Sequence, residues 1–242
     1  MRKKLLFVIG GIILAVGIVL GGIKLYRIQD RNQCGILLAF DDYNADNWAG
    51  YFDLFDKYGV KATFFICANE PTDFCYDALE RGHEIAFHTA GHQELTALSE
   101  EEVYQQAIDP IEVFRDGGIE LSTFAYPKGS RNEELDEKLL GHYKVLRGAY
   151  FLQITDKHQF KEGYVESLSL DNGNYSSQEQ YEAQIDDILA NLKAGKGRVV
   201  SLYSHAIGAG DWSITEDRLL YLLRKAKEMG LQFYTFQELQ NW

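Results

Sequence analysis

Short apolar runs alternate with amphipathic stretches from residue 35 onward. "GILLAF" (35–40), "KATFFIC" (61–67), "EIAFHT" (84–89), "STFAYP" (122–127) and "RVVSLYSH" (198–205) are apolar or rich in β-formers. Their near-continuous apolar character predicts strands of a parallel sheet covered on both faces. Fainter strand signals lie in "YKVLRGAY" (143–150), "YVESLSL" (164–170) and "QFYTF" (232–236). The intervening segments carry helix patterns. "WAGYFDLFDKYG" ends at Gly59, a suitable C-terminal cap. Ser99 with Glu102, Ser177 with Gln180 and Ser213 with Glu216 each have capping-box spacing and predict three helix starts. Strand–helix alternation of this kind implies a βα-repeat sheet or barrel.

Residues 1–31 follow a different pattern. Arg2, Lys3 and Lys4 precede the uncharged run "LLFVIGGIILAVGIVLGGI" (5–23). At 1.5 Å per residue that run reaches roughly 28 Å, about one hydrocarbon core. It exceeds a usual signal-peptide apolar region, and no A-x-A site follows it. It is expected to be an uncleaved transmembrane signal anchor, with a cleaved signal peptide as the alternative. Lys24, Arg27 and Arg31 follow it, so the charge bias for orientation is weak. The expected arrangement puts the N-terminus in the cytoplasm and the domain of residues 32–242 outside.

Composition narrows the functional classes. Of 242 residues, 36 are acidic and 24 basic, a net charge of −12. That excludes the basic footprint of nucleic-acid binding. Three cysteines, Cys34, Cys67 and Cys75, form no complete disulfide framework or zinc-finger pattern. Cys67 and Cys75 are expected to be unpaired thiols, although an oxidising compartment would permit a bond between them.

The polar residues of chemical interest fall at the carboxyl ends of the predicted strands. Asp41 and Asp42 end the first. His88 ends the third, with His92 four residues on. Tyr126 and Pro127 end the fourth, and His205 ends "VVSLYSH". In βα barrels that face carries the active site, so these residues are expected to converge there. Taken singly, each has an ordinary structural reading, as a turn, a cap or an exposed imidazole; the joint pattern is the signal. Two imidazoles four apart plus a carboxylate suit Zn²⁺ and related divalent ions, with positions left open for water and substrate. A bound ion lowers the pKa of its water and polarises a carbonyl. One aspartate would ligate while its neighbour accepts the water's proton.

These segments resemble the polysaccharide deacetylases of the NodB-homology type, the family-four carbohydrate esterases. The matching pieces are "AFDD" (39–42), "VKATFFI" (60–66), "GHEIAFHTAGH" (82–92), "FAYPKG" (124–129) and "VVSLYSH" (199–205). The resemblance implies an α/β fold, a distorted (β/α) barrel of seven strands. It implies hydrolysis of N- or O-acetyl groups on a cell-wall or extracellular polysaccharide. It assigns Asp41 as general base, Asp42, His88 and His92 as ligands of one divalent ion, and His205 as general acid. Zinc is the expected ion, with cobalt, nickel and manganese as alternatives. The resemblance also places an oxyanion-binding N–H at Lys128, and Thr89 in support of the histidine loop. Tyr126, Pro127, Tyr43 and Trp212 are expected near substrate; Trp48 is read as packing at least as readily as ligand contact.

Three departures stand out. Tyr43 replaces the glycine that usually follows the aspartate pair. Ala125 stands where the family has an arginine pairing with the base, so Asp41 is expected to lack that partner. The family's Asp-x-x-Trp support for the catalytic histidine is not evident. Asp171 in "LDNGN" is the candidate, though that segment reads first as an ordinary turn. The departures motivate a second reading, a catalytically inert, membrane-anchored relative that only binds glycan. A metal hydrolase of some other ester or amide would share the same site.

Overall fold

The structure, a computed structural model, describes residues 33–240. The apolar run 5–23, and with it the expected membrane anchor, lies outside the described residues. Among the described residues no helix is long and apolar enough to cross a membrane. The chain from Cys34 onward forms one unit.

Twelve strands are described. β1 is Gly35–Asp42, β2 Ala62–Ile66, β3 Glu84–Phe87, β4 Thr123–Ala125, β5 Val145–Arg147 and β6 Ile154–Asp156. β7 is Tyr164–Val165, β8 Leu168–Ser169, β9 Arg198–Ser204, β10 Ala206–Ile207, β11 Ser213–Ile214 and β12 Gln232–Phe233. β1 to β5 pair in order, all parallel, and β1 pairs parallel with β9 on its other side. The ring closes through one extended segment. Its start, β7, pairs with β5, and its end, β8, pairs with β9. The staves are therefore β1, β2, β3, β4, β5, the segment 164–169 and β9, a seven-staved near-barrel as the resemblance implied. Antiparallel β6 on β9 and short β12 on β1 extend the rim.

Period-two alternation sorts the side chains into two cores. Ile36, Leu38 and Phe40 face outward and pack beneath the helices with Phe64, Ile85 and Phe124. Leu37, Ala39, Phe65, Ala86, Ala125, Val145 and Val199 fill the lumen. Phe236 and Leu239 of the helix Phe236–Leu239 enter the lumen core too. Glu84 links that helix to the staves. It accepts from Thr63 (3.0 Å), Thr123 (2.6 Å) and the backbone N–H of Gln237 (3.0 Å). Burial raises its pKa, although those three donors oppose the rise.

Gly59 caps its helix with φ 67°, and Ser99 with Glu102 forms a capping box. Ser177 caps Gln178–Lys193 through Gln180 N–H. The third expected cap is corrected: Ser213 lies in β11, and Thr215 caps Glu216–Glu228 by accepting from Arg218 N–H. Pairing with β10 holds Ser213 extended, so the helix starts two residues later. The three cysteines are free thiols. Trp48 is fully buried against Phe40, Phe64 and Phe74, so it is a core residue.

Candidate active site

A cavity of about 460 Å³ opens at the carboxyl ends of the staves. Asp41, Asp42, His88, His92, Tyr126, Lys128, His205 and Trp212, all expected near the site, line it. Ala149, Tyr150 and Tyr203 complete the wall. Two expected contacts fall elsewhere. Pro127 is buried beneath the turn it begins, and Tyr43 bonds Thr72 Oγ1 at 3.0 Å.

Backbone strain is concentrated here. Among the described residues four non-glycines have positive φ: Asp42 (79°), Thr89 (68°), His92 (54°) and Lys128 (53°). Such conformations cost on the order of 1–3 kcal/mol each and persist where the surroundings enforce them. At Asp42 the strained backbone turns the second aspartate away from its neighbour. Asp41 is buried in the lumen, whereas the Asp42 side chain is 38% exposed. Thr89 Oγ1 is buried with no hydrogen-bond partner, so that hydroxyl supplies none of the support expected for the histidine loop.

Asp42, His88 and His92 can hold a cation. His88 Nδ1 lies 2.8 Å from Ala125 O, which only accepts, so Nδ1 carries the proton. Burial pushes the His88 pKa down to about 3, so the ring is neutral and Nε2 keeps its lone pair. That lone pair faces Asp42 Oδ1 at 3.6 Å, while His92 Nε2 lies 3.2 Å from the same oxygen. Two ligand atoms on one tetrahedral ion sit about 3.4 Å apart. A lone pair opposite a carboxylate oxygen is repulsive without a cation between them, so the donor set fits a metal ion. Cys67 Sγ also lies within 4.8 Å of the Asp42 and His88 donor atoms. His92 is the better third ligand. The Cys67 thiol donates to His88 O at 3.1 Å, and burial together with the Asp42 and Asp41 charges drives its pKa far above the ordinary value.

Asp41 does have an arginine partner, contrary to expectation. Arg147 at the end of β5 is fully buried, and its Nη2 donates to Asp41 Oδ2 at 2.5 Å. The same guanidinium packs over Phe65 (4.9 Å) and Tyr203 (4.6 Å). It enters from the stave next to the one bearing Ala125, so the charge is preserved although the local motif is not. Burial raises the Asp41 pKa, and Arg147 and then His205 oppose that rise. Asp41 Oδ1 has no protein partner and remains a free acceptor.

Asp171 is the support for His205, and the plain-turn reading is corrected. Its Oδ2 lies 2.7 Å from His205 Nδ1, and its Oδ1 accepts from His205 N–H (3.2 Å) and Ser204 Oγ (2.6 Å). Burial lowers the His205 pKa, but the Asp171 bond and the charges of Asp41, Asp171 and Asp42 overcome it and raise the net value. Trp48 Nε1 donates to His205 O at 2.7 Å, fixing the backbone from the core side. Trp212, 75% exposed, sets its ring edge-on to His205 at 5.4 Å.

The turn Pro127–Gly129 forms the opposite lip. Gly129 N–H bonds Tyr126 O (3.0 Å) and Ser130 N–H bonds Pro127 O (3.1 Å). The Lys128 ammonium is engaged by Glu94 at 2.8 Å.

Comparison with known proteins agrees with this architecture. The family model described as polysaccharide deacetylase matches residues 29–144. A peptidoglycan-N-acetylglucosamine deacetylase, PgdA, of Listeria monocytogenes is 31% identical over 109 residues. That match covers 43% of this chain and only 23% of the relative's length. A peptidoglycan-N-acetylglucosamine deacetylase of Bacillus cereus is 26% identical over 218 residues, 88% of this chain and 91% of that one. A family 4 acetyl xylan esterase from Clostridium thermocellum, solved with a cobalt ion, shares the fold. Its TM-score is 0.58 at 19% identity, over 85% of this chain and 90% of that one. Residues 29–144 are thus similar to the polysaccharide deacetylase family, and the fold around them is shared with solved members of it.

Proposed function

We propose that this chain is a metal-dependent hydrolase that removes acetyl groups from a cell-wall or extracellular polysaccharide. One observation carries the reading. Asp41 held by Arg147 and His205 held by Asp171 line one cavity together with the donors Asp42, His88 and His92. Zinc is the first ion to test, with cobalt, nickel and manganese as alternatives; borderline imidazole and carboxylate donors suit all four. A divalent ion held there supplies Lewis-acid polarisation of the acetyl carbonyl and a water of lowered pKa.

The chain's own residues do the rest. Asp41 Oδ1, free of protein partners, takes the proton of the attacking water. Arg147 opposes the rise that burial imposes on the Asp41 pKa, so it favours the ionised carboxylate, and its hydrogen bond orients it. The Lys128 N–H donates to the carbonyl oxygen as negative charge develops there. His205, protonated and oriented by Asp171, gives its proton to the departing amine or alkoxide. Acetate leaves, and a free amine or hydroxyl stays on the glycan. Tyr126 and Trp212 form parts of the cavity wall that receives the sugar.

The names of the relatives favour the N-acetylglucosamine units of peptidoglycan as the first substrate, with acetylated xylan next. The uncharged run 5–23 is proposed as a membrane anchor that holds the domain of residues 32–242 outside the cytoplasmic membrane. The binding-only reading drew on Ala125 and Tyr43. Arg147 restores the missing charge and Tyr43 bonds away from the cavity, so no observation favours that reading.

The test is acetate release from acetylated glycans by the purified protein, repeated after chelation, after zinc or cobalt is restored, and with Asp41→Asn. Release that chelation abolishes, metal restores and Asp41→Asn removes is the expected result. Absence of release on every glycan, with metal bound, would overturn the reading.

A further inference from the structure

We infer that Tyr150 is a positioning residue that sets the turn Pro127–Gly129 by holding the carbonyl of Lys128. The inference rests on the proposed deacetylase reading, in which the Lys128 N–H faces the developing oxyanion. Lys128 sits at φ 53°, ψ 20°, a left-handed conformation inside a turn whose own hydrogen bonds run from Gly129 and Ser130. Such strain needs an outside constraint. Tyr150 provides one, because its hydroxyl donates to Lys128 O. Holding that carbonyl fixes the Lys128–Gly129 peptide plane and, through the φ and ψ of Lys128, restrains the neighbouring Pro127–Lys128 plane that carries the Lys128 N–H.

The surroundings are shaped for this contact. Gly129 lies at φ 62°, and a Cβ there would sit 2.3 Å from Tyr150 Cε2, so only glycine admits the ring. The far side of the loop is tied down as well. Tyr150 N–H reaches Glu166 Oε2 at 3.4 Å, and Glu166 accepts from Tyr164 at 2.6 Å. Ala149 O accepts from Tyr203 at 3.2 Å. Tyr150 itself is 63% exposed on the cavity wall, so core packing does not account for it.

The stretch "RGAY" (147–150) would then serve both halves of one reaction. Arg147 fixes the base from below, and Tyr150 fixes the oxyanion turn from the rim. A strand end beside the "AYP" segment would thus supply two constraints that this segment does not supply itself.

Tyr150→Phe tests the inference, since it keeps the ring and removes only the hydroxyl. Acetate release and bound metal are measured together with hydrogen exchange of peptides covering residues 126–130. Leu152→Ala, in the same loop, is the control. The expected result is about a ten-fold fall in kcat with KM and metal content unchanged, following from a misaimed donor. Faster exchange over 126–130 is expected in Tyr150→Phe and not in Leu152→Ala. Wild-type kcat and wild-type exchange in Tyr150→Phe would overturn the inference. A raised KM with kcat intact would overturn it too, by making Tyr150 a sugar contact. If the wild-type protein releases no acetate, the deacetylase reading falls, while the exchange measurement still decides whether Tyr150 holds the turn.

Discussion

Replacing Arg147 by methionine gives the sharpest test of how the base is held. The guanidinium has no solvent exposure, and its partner carboxylate has 3%. Methionine fills much of the same space but leaves Asp41 buried without a cation. Breaking a buried pair from one side costs about 3–5 kcal/mol. The carboxylate can escape part of that cost by staying protonated, and each unit of pKa shift is worth about 1.4 kcal/mol. The sign follows from burial. The Asp41 pKa is already raised in the folded state, so its stabilising contribution is present at low pH and lost as pH rises through the folded value. Arg147 limits that loss. The variant should therefore be most destabilised at high pH and approach wild type as pH falls. Activity should move in the opposite sense. The base works only when ionised, so at fixed pH the rate should fall about ten-fold for each unit of upward shift, and recover as pH rises. Denaturant melts at two pH values and a pH profile of acetate release read both effects. Arg147→Lys, which keeps the charge, should recover part of each. A methionine variant with wild-type stability and an unmoved acid limb would refute the reasoning.

Three further outcomes are expected. Asp171→Asn should lower kcat about 100-fold and move the alkaline limb to lower pH, because His205 loses the charge that raises its pKa; a pH profile unchanged in shape would contradict this. His92→Ala should weaken metal binding by more than the ~10–100-fold typical of an outer partner, while Cys67→Ser leaves it unchanged; metal content after dialysis decides between the two side chains. Glu84→Gln should be less stable than wild type in acid, with the gap narrowing as pH rises. The raised Glu84 pKa makes the wild type lose stability as pH rises, and glutamine does not titrate; a gap constant with pH in urea melts would count against it.

Much of this site was legible in the sequence because its residues close strands. An apolar run that stops at Asp41, His88 or His205 announces both the stave and the face. Arg147 was not legible from the motif, because its partner lies 106 residues away and no local spacing links them. Its signal was alternation: Val145 and Arg147 share the inward face of β5, and an inward arginine needs an anion. Asp171 reads locally as part of a turn, since "DNG" has that meaning in sequence, and only the fold brings it against His205. Ser213 misled for the reverse reason: its spacing was that of a cap, but pairing with β10 claimed it first. Closure by the single segment 164–169 also depends on long-range pairing, for which two-residue strands leave little pattern.

The position of β1 has a consequence for how the chain folds. It is the earliest described strand, yet residues 35–40 pair with residues 199–204, and Gly35 and Ile36 with Gln232 and Phe233. During synthesis β1 waits with one apolar edge open until nearly all the remaining domain has been made. Contacts this distant in sequence slow folding, and an open parallel edge invites mispairing with other chains. Yield of native protein should therefore respond strongly to temperature, translation rate and chaperone supply, even where the finished barrel is stable.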